Sequence, residues 1–317
     1  MPIARTLRDT AAMPTSLPIS VVIPTLDRPG EVAGCLESLE RHLEWLDPEV
    51  IVVDQSDSTR TRDVCAGNPR VRYLHNEQLG ISVNRNLGAR EARHEWLVFA
   101  DDDGRFGEGW GEAAARAMGA SDAPDLLLGR VLDQNQNRRF AVAECEGRCE
   151  LTPRNIWLGS GPSVHVKRAM FGELGGFDET LGVGTPWGAT EEVDLFLRVL
   201  LAGGRGVFEP AMLVHHRCHP DVGTEAERLR YGYGRGDGAF IRKHLFGPAG
   251  RQLLPMASHL LFFPLMDLWY CRRRAPERRV HFAALKGRWS GLLTWRRPRD
   301  RPHSIAPAGP ERSAPVS

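Results

Sequence analysis

The sequence predicts an α/β fold: a doubly wound mixed sheet of Rossmann-like character, with flanking helices and a C-terminal helical extension. Three observations carry that expectation. Short β-branched runs alternate with stretches of helical periodicity from Ile19 to Ala100. The chain has 317 residues, 42% of them hydrophobic, enough for a sizeable core in one large domain or two ordinary ones. Polar residues stand just past several of the apolar runs, at the edge where open α/β sheets hold their ligands.

Ile19 to Ile23 reads as the first strand, ended by Pro24. From about Gly30, Val32, Cys35, Leu36, Leu39 and Leu43 form one helical stripe. Val50 to Val53 is the second strand and Asp54 follows at once. Val71 to Leu74 is a weaker third strand, Ser82 to Arg93 a helix, and Trp96 to Ala100 the fourth strand. This β-α-β-α-β rhythm on its own predicts parallel pairing. From Asp122 to Gly161 mixed strands and loops are expected, and no internal repeat is visible.

Several function classes fall away early. A formal net charge of +1 argues against a protein built wholly around nucleic acid. No Gly-x-Gly-x-x-Gly follows the first strand and no Gly-x-x-x-x-Gly-Lys-Ser/Thr occurs, so the dinucleotide and P-loop signatures are both missing. The start of the chain is polar and proline-bearing, without the apolar core of a secretory signal, and reads as a loose tail. The six cysteines do not require an oxidising compartment in a chain this long. Cys145 and Cys149, with His215, His216, Cys218 and His219 downstream, offer soft ligands for zinc, but their spacing matches no standard zinc module.

The apolar run Trp96 to Ala100 ends in Asp101, Asp102 and Asp103. Adjacent anions repel and lose hydration when buried, so the cluster needs a compensating cation. A hard divalent metal carrying a substrate diphosphate meets that need, because it takes oxygen ligands and leaves positions open for phosphate. An acidic turn after a strand is the plain alternative. Thr25, Asp27 and Asp54 also stand past strand ends and converge on the same edge.

A second acidic cluster, Glu191, Glu192 and Asp194, opens a strongly amphipathic helix whose stripe is Val193, Phe196, Leu197, Leu200 and Leu201. Thr190 is the expected N-cap and Gly203 the stop. Acids in a first turn favour the helix dipole, and Arg198 is placed to pair with Asp194 at i+4. Glu192 lies beside the apolar stripe and faces protein or a cleft. A carboxylate there, after a glycine-rich loop, suits a general base.

In order, Val21 to Arg28, Val50 to Asp54, Gly80 to Gly88, Phe99 to Asp103, Gly175 to Glu179 and Glu191 to Leu195 resemble segments of the family 2 glycosyltransferases, which have the GT-A fold. The resemblance runs from about Ile19 to His216. It implies transfer of a sugar from a nucleotide-diphosphate donor, usually with inversion, assisted by a divalent metal (Mn or Mg). It puts Thr25, Asp27, Arg28 and Asp54 around the nucleotide, Arg85 and Asn86 near the donor, and Asp101 and Asp102 at ribose and diphosphate. Asp103 becomes the first choice of metal ligand, with Asp101 and His216 beside it. The family's base is carried by a Glu-Asp pair. Here the pair is Glu191-Glu192, one methylene longer, with Glu192 as the presumed base.

The implied organisation is a tail over 1–17, the GT-A domain over 18–245, a basic helical extension over 246–300 and a proline-rich disordered tail over 301–317. The segment Tyr231 to His244 carries four glycines and reads as a loop leading into a helix, with a phosphate contact through Arg235 as the competing reading. Leu253 to Cys271 is strongly apolar and is followed by Arg272 to Arg274, Arg278, Arg279, Arg296 and Arg297. Aromatics beside arginines suit a helix lying on an anionic membrane surface, with a buried packing helix as the competing reading. The expected partners are a nucleotide sugar, a glycan or lipid-linked saccharide acceptor and that membrane surface, with no nucleic acid. The expected place is the cytoplasmic, inner face of the cell membrane. A sugar-nucleotide pyrophosphorylase or a non-catalytic sugar-nucleotide or glycan-binding protein are the alternatives. The first lacks its basic glycine-rich loop here, and the second has no need of an intact base and metal cluster.

Overall fold

The computed structural model describes residues 16–134, 145–217, 222–247, 250–254, 257, 258, 260, 261 and 275–296. The first half alternates strand and helix as the periodicity requires: β1 Leu17–Thr25, α1 Pro29–Glu40, β2 Leu46–Asp54, α2 Arg60–Ala66, β3 Val71–His75, α3 Ile81–Glu91 and β4 Trp96–Phe99. There follow β5 Arg105–Phe106, α4 Trp110–Met118, β6 Leu126–Asp133, β7 Cys149–Glu150, β8 Val164–Lys167, α5 Arg168–Glu173, α6 Glu191–Leu201, β9 Gly206–His216 and α7 Thr224–Leu245. A last helix, α8, spans Ala275–Thr294.

These strands form one sheet in the order β3-β2-β1-β4-β8-β6-β9-β5, with β7 added to β9. The first four strands are parallel, as the β-α-β rhythm requires. Then β8 enters antiparallel between β4 and β6, while β9 runs parallel to β6. The sheet is therefore mixed. Side chains alternate across it. Ile19, Val21, Ile23, Val50, Val52, Trp96 and Val98 pack on one face with Val32 and Leu36 of α1 and Trp110 and Ala114 of α4. Val22, Ile51, Val53, Leu97 and Phe99 pack on the other with Phe171 of α5 and Val193, Phe196 and Leu197 of α6.

Two local expectations are corrected. Thr190 holds the N-cap position of α6 but does not cap it: its φ is 69°, and its hydroxyl donates to the Ala189 carbonyl. The left-handed residue turns the chain sharply instead, and Gly203, at φ 86°, follows the helix as expected. The segment Tyr231 to His244 is not a loop but the body of α7. Glycine disfavours isolated helix by about 1 kcal/mol per residue. Here tertiary packing overrides that cost, because a Cβ on Gly236 would stand 2.5 Å from the Ala189 carbonyl oxygen and one on Gly238 2.0 Å from that of Arg288. Most of the apolar stretch 253–271, the tails 1–15 and 297–317, and Cys218 and His219 lie outside the described residues. Among the described residues no helix is long and apolar enough to cross a membrane.

Candidate active site

The C-terminal ends of β1, β2 and β4 bring three loops to one edge. Thr25 and Asp54 end β1 and β2 as register partners, and Asp101 to Asp103 follow β4 after Ala100. The last residue of β9, His216, reaches the same edge because β9 lies beside β6 and pairs with β5 just after the aspartates.

The three aspartates divide their duties. Asp102 accepts hydrogen bonds from the Thr25 hydroxyl at 2.7 Å and the Arg28 guanidinium at 3.1 Å. Asp103 meets Arg28 at 3.3 Å and His216 Nε2 at 2.8 Å. Asp101 meets His216 Nε2 at 3.5 Å and Arg85 at 2.6 Å. The loop backbone is pinned as well. Gln134 donates to the Asp103 carbonyl at 2.8 Å, and Arg105 donates to the Asp102 and Gly104 carbonyls.

Arg85, on α3, is the joint between the two acidic clusters. It is 1% exposed and donates to Asp101 at 2.6 Å and Glu191 at 2.9 Å. Its guanidinium carbon also stands 5.4 Å from the centre of the Phe177 ring. Removing either end of such a buried ion pair is costly, because the remaining charge stays desolvated.

Burial, then the charge of Glu191, pushes the Glu192 carboxyl up to about 8. Burial raises Glu191 too, against the pull of Arg85 and of a hydrogen bond with Glu192. The half-buried Glu192 carboxyl, beside the buried Glu191, is thus mostly protonated at neutral pH. Burial raises Asp102 to about 6, with Thr25 and Arg28 opposing. Burial opposes the charge on His216, yet its hydrogen bonds to Asp101 and Asp103 and their charges raise it to about 10. Burial also works against the charge on Asp101, but Arg85 and His216 hold it below the usual carboxylate range.

One oxygen each of Asp101 and Asp103 and one nitrogen of His216 lie within 4.8 Å of one another. Two carboxylates and an imidazole, close enough to share one ion, suit manganese or magnesium with positions left for phosphate oxygens. This is the sole grouping of that kind among the described residues. Cys145 and Cys149 do meet, Sγ to Sγ at 2.9 Å, without a third ligand beside them among the described residues.

Other expected site residues are engaged within the protein. Asp54 is fully buried and accepts from the Ser56 amide and hydroxyl and the Tyr73 hydroxyl. Asp27, at φ 56°, donates its amide to Ser56 Oγ at 2.7 Å. Asn86 makes a reciprocal pair with the Phe177 backbone, both contacts 2.9 Å, and so ties α3 to the loop before α6. Asp194 is fully buried and binds Arg198, Lys243 and His244, each at 2.7 Å. Lys243 also reaches Asp178 at 2.6 Å. This network fastens α7 to α6 behind Glu191 and Glu192.

Tyr233 escaped the sequence reading. It projects from α7 close enough for Asp101, Glu192 and Glu191 to help burial raise its hydroxyl to about 12, with Arg230 opposing. Its only signal was its place in the glycine-rich segment, where Arg235 drew attention instead. Arg235 Nε is buried without a hydrogen-bond partner among the described residues.

A mixed sheet with acidic loops at its strand ends, facing a carboxylate-bearing helix start, defines the GT-A class. Solved structures agree. A mannosyltransferase from Pyrobaculum calidifontis, determined with GDP-Man and Mn2+, superposes with a TM-score of 0.60 at 15% identity, covering 86% of each chain. TarS from S. aureus gives 0.57 at 16% identity, covering 86% of this chain and 91% of its own. The Glycosyl transferase family 2 profile matches residues 20–171, the stretch from β1 into α5. Among curated relatives, an uncharacterized glycosyltransferase of Haemophilus influenzae is 27% identical over 202 residues, 57% of this chain and 62% of that protein. The succinoglycan biosynthesis protein ExoA of Rhizobium meliloti is 24% identical over 267 residues, 77% of this chain and 76% of its own.

Proposed function

We propose that this chain transfers a sugar from a nucleotide-diphosphate donor to an acceptor hydroxyl, with inversion at the anomeric carbon. The observation that carries the reading is the chain of contacts from the Asp101–Asp103–His216 cluster through Arg85 to Glu191, next to Glu192. It sets a cation-binding end and a base end on either side of one guanidinium.

Asp101, Asp103 and His216 would hold a divalent cation, which supplies positive charge to the departing diphosphate. Arg28 and Thr25 keep Asp102 and Asp103 in place and add donors at the phosphate side. Asp54 and Asp27 shape the nucleotide end through Ser56. Glu192 takes the proton from the acceptor hydroxyl as that oxygen bonds to the anomeric carbon and the bond from that carbon to the diphosphate oxygen breaks. A carboxyl raised to about 8 is a stronger base, once ionised, than an ordinary glutamate. Asp194 acts as a positioning residue, since its carboxylate is committed to Arg198, Lys243 and His244.

The relatives named for succinoglycan biosynthesis and for PGL/p-HBAD biosynthesis support a surface-glycan or lipid-linked acceptor, and we propose that it is met at the inner face of the cell membrane. A panel of GDP- and UDP-sugars with manganese tests the donor, because the solved neighbours include one bound to GDP-Man and one bound to UDP-GlcNAc. One class of nucleotide sugar should raise the melting temperature in a metal-dependent way and, with acceptor, release nucleoside diphosphate. Binding without transfer to any acceptor would make the chain a sugar-nucleotide binder. Transfer undiminished by chelation, or by Asp103→Asn, would remove the cation from the reading.

A further inference from the structure

We propose that the outer face of α8 is a preformed docking surface for an anionic lipid bilayer. This deepens the membrane part of the reading above and rests on it for the choice of lipid as partner, not for the transfer chemistry.

The inner face of α8 is fully committed. A Cβ on Gly287 would stand 2.2 Å from the Tyr231 carbonyl oxygen, and one on Gly291 2.1 Å from that of Arg235. From the α7 side, a Cβ on Gly234 would stand 2.2 Å from the Ala284 carbonyl oxygen. The two helices therefore touch backbone to backbone along glycines spaced four apart, running in the same direction. Arg288 adds a hydrogen bond to Asp237 at 2.8 Å, and Trp295, 7% exposed, packs with Leu181 and Ala239 just past the helix. Such a seam leaves α8 little freedom to roll, so its outer face is held in one orientation.

That outer face is apolar where a water-soluble surface helix is polar. Phe282 is 58% exposed, Trp289 41% and Leu293 76%. At intervals of seven and four residues they fall on one stripe of an α-helix. Arg278, Arg279 and Lys286 are exposed on the same side of that helical register, and Glu277 is the helix's single acid. Aromatic and aliphatic groups interleaved with cations match an interface where rings enter the headgroup layer and ammonium or guanidinium groups meet lipid phosphate. A second copy of this chain is a poor occupant, since a two-fold contact would set these cations against themselves. Because α7 carries Tyr233 beside the acidic site, anchoring α8 would also fix how that site faces a lipid-linked acceptor.

The test is sedimentation of the full chain with vesicles, of phosphatidylcholine alone or mixed with phosphatidylglycerol, at low and high salt. The wild type should pellet with the anionic vesicles at low salt, and much less with neutral ones or at high salt. Each cation at such a surface is worth about fivefold in partitioning, so Arg278→Glu with Lys286→Glu should weaken binding at least about 25-fold. Phe282→Ser with Trp289→Ser and Leu293→Ser should weaken it more than about tenfold. Both sets lie on the solvent side and should keep the wild-type melting temperature and wild-type transfer to a soluble acceptor. Equal binding to neutral vesicles, a wild type that stays in the supernatant, or stable variants that pellet like the wild type would overturn the proposal. So would a wild-type dimer that the apolar substitutions dissociate, since the face would then join two copies. Vesicle binding that persists in a chain showing no sugar transfer would refute the transfer reading and leave this one standing.

Discussion

Replacing Glu192 by Gln separates catalysis from stability in opposite directions. The amide keeps the shape of the side chain and removes its basicity. General-base assistance is worth about 10²–10⁴ in rate, a barrier increase of about 2.7–5.5 kcal/mol. The wild-type rate should rise about tenfold per pH unit up to about 8 and then level, because the carboxyl must lose its proton to serve. At pH 7 about a tenth of the molecules carry the ionised form. The stability effect has the other sign. A carboxyl with a raised folded-state pKa binds a proton in the native state that the unfolded chain has released, so native stability falls as pH rises from the ordinary glutamate value near 4.5 to about 8. Glutamine does not titrate, so Glu192→Gln should gain about 2–4 kcal/mol relative to wild type at pH 8 in metal-free protein, and little at pH 4. The assays are initial rates of nucleotide release across pH and denaturant unfolding at the two pH values. A variant within tenfold of wild-type rate, or one less stable than wild type at pH 8, would refute the reasoning about this residue.

Three further outcomes follow from the buried contacts. Arg85→Met leaves Asp101 and Glu191 buried without their cation, and should cost about 3–5 kcal/mol in unfolding free energy. It should also move any surviving pH limb of activity to the alkaline side, since Arg85 lowers Glu192. Asp194→Asn should cost a similar amount at pH 7, a fall of at least about 6 °C in melting temperature. Burial disfavours the Asp194 charge, but Arg198, Lys243 and His244 hold its carboxyl well below 3.8, so its contribution is complete above that value and is lost as pH falls further. The variant's acid-unfolding curve should therefore be flatter than wild type. Gly238→Val puts a branched side chain where even a Cβ would stand 2.0 Å from the Arg288 carbonyl oxygen. It should separate α8 from α7, read as protease cleavage within α8 at a protease level that leaves wild type intact.

The early elements were legible because their signals are local. β-branched runs such as Val50 to Val53 make strands by their own periodicity, and Asp54 and Asp101 to Asp103 are placed by ending them. The acidic start of α6 and the Asp194–Arg198 pair were likewise readable from spacing of three and four residues. The sequence by itself thus determined the parallel half of the sheet, the strand-end carboxylates and the helix that carries Glu192. Only the tertiary structure decided that Arg85 joins Asp101 to Glu191, that Lys243 and His244 lock Asp194, and that Tyr233 comes to the acidic site. The Arg85 and His244 contacts link residues 16 to 106 positions apart in the chain, for which no short-range pattern exists. It also decided that the glycine-rich segment is helical. Glycine weakens a helix on its own, and α7 is stable there because the missing side chains let the Ala189 loop and α8 approach its backbone, a gain that no window of sequence contains.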